Sequence, residues 1–133
     1  RPPSDGGYGR AVTLAWEQLV VDAVDPVTLG RWWADALGWV IVDDDPDEFE
    51  IRAEPDRLPG LLFAAVPEAK AAKNRLHLDL RPTDQQAAVD RLLALGAEHA
   101  DVGQGDESWV VLRDPEGNEF CVLSDRPRAE PSP

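Results

Sequence analysis

The chain has 133 residues, with 13 Lys and Arg against 26 Asp and Glu, a formal net charge of −13. That length predicts one compact domain, able to bury roughly two thirds of the surface its unfolded form exposes. The acidic balance argues against partners bound by neutralising phosphates, so neither nucleic acid nor an anionic membrane is an expected partner.

The single cysteine, Cys121, has no internal disulfide partner and lies in an apolar run. A buried thiol in a reducing cytoplasm is the ordinary explanation. No apolar stretch approaches the ~20 residues of a membrane span, and the first residues lack the hydrophobic segment of a secretory signal.

Residues 1–12 and 125–133 are rich in Pro, Gly and charge. They hold too little apolar surface to offset ordering entropy and are expected to be flexible tails around a single domain at 13–124. Residues 14–23 read as a strand. Asp25 then offers an N-cap with proline at the first helical position, so a helix is expected over 26–37, ended by Gly38. Three short runs, 39–42, 48–52 and 61–66, each bounded by Asp, Pro or Gly, read as strands. A polar linker, 67–74, follows. Beyond it 75–80 reads as a strand, Asp84 caps a helix carrying Ala88, Leu92 and Leu95 at helical spacing, and Gly96 stops it. Strands at 98–102, 108–113 and 119–123 complete the chain, the last two joined by the turn Asp114-Pro115-Glu116-Gly117-Asn118.

The order strand, helix, strand, strand, strand thus occurs twice. Asp25 and Asp84 stand 59 apart, as do Gln18 and His77; Gly38 and Gly96 stand 58 apart, as do Leu61 and Glu119. Independent errors of assignment would not fall into register, so the chain reads as a duplicated unit of α+β class, with module one at 13–66 and module two at 75–124.

Four positions stand out under this superposition: Gln18, Leu61, His77 and Glu119. In 75–80, Leu76, Leu78 and Leu80 alternate with Arg75, His77 and Asp79. The leucines are expected to pack on helices, leaving His77 and Asp79 on the opposite face. In the closing strand Glu119, Cys121 and Leu123 share a face, and a glutamate there is expensive unless it meets solvent, a donor or a cation. Trp109, on a strand with Val111 and Arg113, offers a flat wall for a ligand, and Phe63 does likewise from the other module; Asp79, Asp22 and Arg113 offer polar contacts. Each also has a plainer reading, as core for the aromatics and as solvated or paired charge for the rest. The adjacent Trp32 and Trp33 read as core, His99 as surface, and the acidic run 43–47, broken by Pro46, as a solvated turn rather than a calcium loop.

Several segments together resemble the vicinal oxygen chelate superfamily of glyoxalase I, bleomycin-resistance proteins and extradiol dioxygenases. They are Asp25-Pro26 through Trp32-Trp33-Ala34-Asp35-Ala36-Leu37-Gly38-Trp39, Val66-Pro67-Glu68 with Lys73-Asn74-Arg75-Leu76-His77-Leu78-Asp79-Leu80, and Trp109 through Asp114-Pro115-Glu116-Gly117-Asn118-Glu119-Phe120. The resemblance is nearest to the small glyoxalase-like proteins of that group. It implies two βαβββ modules forming a cup-shaped mixed sheet, helices on the convex face, a small-molecule site in the cup and a homodimer.

In metal-using relatives the ligands come from the first and last strands of the modules. Carried across, the resemblance implies a metal set of Gln18, His77 and Glu119, with Leu61 at the fourth place and Glu119 as the general base. Imidazole and carboxylate suit one divalent Zn, Ni, Fe, Mn or Co ion, whereas a neutral amide is a weak ligand and leucine is none. Two readings therefore stand. One is a metal-dependent lyase, isomerase or dioxygenase. The other is a metal-free polar pocket, with His77 donating to Glu119, that binds a small organic molecule without transforming it.

Overall fold

The computed structural model describes residues 14–101, 103 and 105–125. The expected tail at 1–12, the expected tail at 125–133 apart from Asp125, and Val102 at the end of an expected strand lie outside those residues; Asp125 accepts from the Gln85 amide at 2.6 Å. The elements in order are β1 (Gln18–Ala23), α1 (Pro26–Leu37), β2 (Val40–Asp44), β3 (Glu48–Arg52), β4 (Gly60–Ala65), β5 (Asp79–Leu80), α2 (Gln85–Ala94), β6 (Glu98–His99), β7 (Val110–Arg113) and β8 (Glu119–Val122). They are two βαβββ modules, each with its own four-stranded mixed sheet, ordered β1-β4-β3-β2 and β5-β8-β7-β6. In both, the first strand runs parallel to the last and the remaining pairs are antiparallel.

Local chemistry sets the helix ends. Asp25 accepts hydrogen bonds from the Thr28 amide (3.1 Å) and hydroxyl (2.8 Å), and Asp84 accepts from the Ala87 amide (3.1 Å). Each supplies an acceptor for a first-turn N–H that has no partner within the helix. Gly38 ends α1 in the left-handed region, at φ +69°, where a Cβ would be strained.

The face of α1 bearing Leu29, Trp32 and Trp33 is buried against Phe49, Ile51, Leu61 and Phe63 of the first sheet and Phe120 and Val122 of the second, making one core for both modules. Trp33 stands edge-on to Phe120 at a centroid distance of 4.9 Å, and Trp32 at 6.1 Å. A Cβ at Gly30 would strike the fully buried ring of Phe49, so only glycine lets α1 lie this close to β3.

The turn 114–118 fastens module two to module one. Buried Asp114 accepts from Trp33 Nε1 (2.9 Å) and from the amides of Glu116 and Asn118. Burial raises its pKa despite these donors. Glu116 accepts from the amides of Val24 (2.8 Å) and Asp25 (2.9 Å), immediately before α1.

Two differences from the sequence reading bear on the site. The strand expected over 75–80 is regular only at Asp79–Leu80, and Leu76, expected to pack on helices, is 79% exposed. Just before that segment, the Asn74 amide donates to the Glu119 side chain. Register also corrects one superposition. Val20 pairs with Leu62 in module one and Asp79 with Cys121 in module two, both a shift of 59. The same shift carries Gly60 onto Glu119 and Leu61 onto Phe120, and those last two are both core residues. The helix-facing Leu61 is therefore not the counterpart of Glu119.

Candidate functional site

A cavity of about 650 Å³ opens between the modules. Trp16, Leu19 and Val20 from the first strand region, Val66 after β4, and Leu76 and Leu78 ahead of β5 give it apolar walls. Asp22, Lys70, Asn74, His77, Asn118 and Glu119 supply polar groups. A mostly apolar cleft with a few converging polar atoms suits an organic ligand of modest size.

Glu119 opens β8 and is 12% exposed. Its Oε2 accepts from Lys70 Nζ and its Oε1 from the Asn74 amide, both at 2.8 Å. Burial raises its pKa, but the Lys70 and Asn74 hydrogen bonds and the Lys70 charge more than offset that, so the net shift is downward. A carboxylate held below its ordinary value is a weak proton acceptor near neutrality, where an efficient general base has a pKa close to the working pH.

His77 borders the cavity, and its Nε2 lies 3.1 Å from Asp79 Oδ1, with the side chains 43% and 51% exposed. The partner expected for His77 was Glu119, but the oxygens of Glu119 are held by the linker instead. Cys121, paired with Asp79 across the parallel ladder, is 8% exposed. Burial, and then the Asp79 charge, raise its thiol pKa. The donor atoms of His77, Asp79 and Cys121 all lie within 4.8 Å of one another.

The other sequence-derived residues are dispersed. Gln18 is half-buried opposite Gly60 and outside the cavity lining. Above Gly60, Glu50 pairs with Arg52 Nε at 2.9 Å, and a Cβ on Gly60 would run into that carboxylate. Phe63 borders the cavity but is wholly buried in the core. Trp109 packs on Ala100, Val111 and Cys121, and Arg113 stands 3.9 Å from Glu98; neither lines the cavity.

As a test of metal fit, Gln18, His77 and Glu119 fare poorly. Gln18 is not among the residues that line the cavity, and a divalent ion at Glu119 would have to displace an ammonium group in hydrogen-bond contact. Lys70, Asn74 and Trp16 are the site residues that sequence reasoning missed. The linker carries no periodicity that would mark Lys70, and its approach to Glu119 spans 49 residues.

This arrangement of paired βαβββ modules around a cleft defines the vicinal oxygen chelate fold. The model of the Glyoxalase-like domain family matches residues 18–123, and the chain belongs to that family. Among solved structures it is similar to a bleomycin-binding protein from bleomycin-producing Streptomyces verticillus, complexed with copper(II)-bleomycin (21% identity, 87% of this chain and 100% of that one, TM-score 0.58). It is also similar to the oxidase ChaP-H2 (15%, 86% and 96%, 0.60) and to a glyoxalase/bleomycin resistance protein/dioxygenase family enzyme from Burkholderia phytofirmans PsJN (17%, 82% and 97%, 0.61). At these identities the likeness is one of fold. No curated protein matches the sequence. Among the described residues no helix is long and apolar enough to cross a membrane.

Proposed function

We propose that the protein binds a small organic molecule in the cavity between its modules and needs no metal at Glu119 to do so. The observation that carries this reading is the state of Glu119: the acid in the cavity wall is already neutralised by Lys70 and the Asn74 amide. The surrounding lining is mainly apolar, and Trp16, 66% exposed, stands ready to stack on an aromatic group. The overall charge of −13 favours neutral or cationic ligands at long range.

The test is titration of chelator-stripped protein with two probes, the neutral dye N-phenyl-1-naphthylamine and copper(II)-bleomycin, read by dye fluorescence and calorimetry. Saturable binding of either to metal-free protein, weakened by a blocking Val20→Trp substitution, is the expected result. Binding that appears only after a divalent metal is added would overturn the reading.

A metal-dependent lyase, isomerase or dioxygenase using Gln18, His77 and Glu119 is favoured by one observation, that His77 and Glu119 border the same cavity. That reading requires Lys70 to give way, so a Lys70→Met variant would then gain metal affinity and turnover. Self-association as a homodimer completes the proposal. β1 lies at the edge of its sheet, Trp16 and Leu76 expose apolar surface at the cavity, and Leu14, two residues before Trp16, is 88% exposed. Sedimentation equilibrium of wild type and Trp16→Asp would measure it.

A further inference from the structure

We propose that His77, Asp79 and Cys121 form a binding site for one divalent ion of borderline softness, of the zinc class, on the module-two sheet beside the cavity. The site shares His77 with the set implied by resemblance but uses neither Gln18 nor Glu119. It does not depend on the ligand reading above.

Three observations support it. The donors are an imidazole nitrogen, a carboxylate oxygen and a thiol sulfur, the combination that selects zinc or cobalt over magnesium or calcium. Their positions are set by backbone. Asp79 and Cys121 are ladder partners, held by the Cys121 amide on the Leu78 carbonyl (2.9 Å) and the Leu123 amide on the Leu80 carbonyl (2.8 Å). His77 precedes Asp79 by two residues, and their donor atoms are 3.1 Å apart. Two ligands at the usual zinc distances in a tetrahedron stand about 3.4 Å apart, so this edge is already near its bound length.

Finally, the surroundings are graded as a metal site requires. Cys121 is backed by Ala100 and Val111, while the roughly half-exposed His77 and Asp79 leave room for a fourth ligand from solvent. With thiolate and carboxylate the site would neutralise a dication, and the loss of the thiol proton makes loading pH-dependent.

The plainer account is a hydrogen-bonded trio with no ion, Asp79 accepting from both neighbours. Cobalt(II) titration of reduced, chelator-stripped protein separates the two. The wild type should bind one equivalent with a thiolate-to-cobalt charge-transfer band and the intense visible absorption of a tetrahedral centre. Cys121→Ser should abolish the band. His77→Ala and Asp79→Asn should each weaken binding by more than the ~10- to 100-fold that loss of an outer-shell partner costs. Glu119→Gln should leave binding unchanged. Asp79 is half exposed, so its variant tests the site even if Cys121→Ser folds poorly, and far-ultraviolet circular dichroism checks each variant. A wild type without a thiolate band, a band that survives both His77→Ala and Asp79→Asn, or one lost in Glu119→Gln would overturn the proposal.

Discussion

The two modules repeat one backbone but not one chemistry. At the 59-residue shift, Gln18, Val20, Gly60 and Leu62 of module one correspond to His77, Asp79, Glu119 and Cys121 of module two. Module one offers an amide, two hydrocarbon chains and no side chain at all, and Glu50 with Arg52 fills the space over Gly60. Module two offers an imidazole, two carboxylates and a thiol. The duplicated strand pairing fixes where a side chain can stand, whereas the residues placed there decide whether the wall is inert. In this chain the polar and titratable groups at these positions are concentrated in one copy.

That contrast depends on the modules being locked together, and breaking the lock should give the largest effect. Asp114→Ala would leave Trp33 Nε1 and two backbone amides of the turn without their acceptor. A loss of roughly 3 kcal/mol or more is expected in denaturant unfolding. Gly60→Ala tests the closed half: its methyl group must push Glu50 off Arg52 and crowd the Ile51 carbonyl, an overpacking cost of about 1–2 kcal/mol in the same assay.

Glu119→Gln tests the open half, where replacing a charged acceptor by an amide should cost about 1–2 kcal/mol. It should also change the acid limb of stability. Because the folded pKa of Glu119 lies below its ordinary 4.5, its contribution is complete above that value and is lost as pH falls through the lower folded value. Thermal melts from pH 6 downward should therefore show less acid sensitivity in the variant than in wild type.

Much of the architecture was legible because it is written in local signals. Asp25-Pro26, Gly38, Asp84 and the turn 114–118 mark boundaries by capping and turn chemistry, and the repeat could be counted. The facing of side chains was harder. Offsets of 58 and 59 both occur between matching residues of the two halves, and only the pairing of Val20 with Leu62 and Asp79 with Cys121 separates Gly60 from Leu61 as the counterpart of Glu119. His77 with Asp79, and Glu119 with Cys121, could be assigned to shared faces from alternation, yet nothing in the sequence says which strand lies beside which at what register. Lys70 was invisible for a different reason. A lysine in a polar linker looks solvated, and its contact with Glu119 is created by the path of the loop.

The central claim is that the chain itself, through Lys70, supplies the cation that Glu119 faces. Carbon-detected NMR titration of the Glu119 carboxyl in metal-free protein, in wild type and Lys70→Met, tests it most directly. The account expects a midpoint below 4.5 in wild type that rises in the variant. A midpoint at or above the ordinary value, or one indifferent to Lys70, would contradict it.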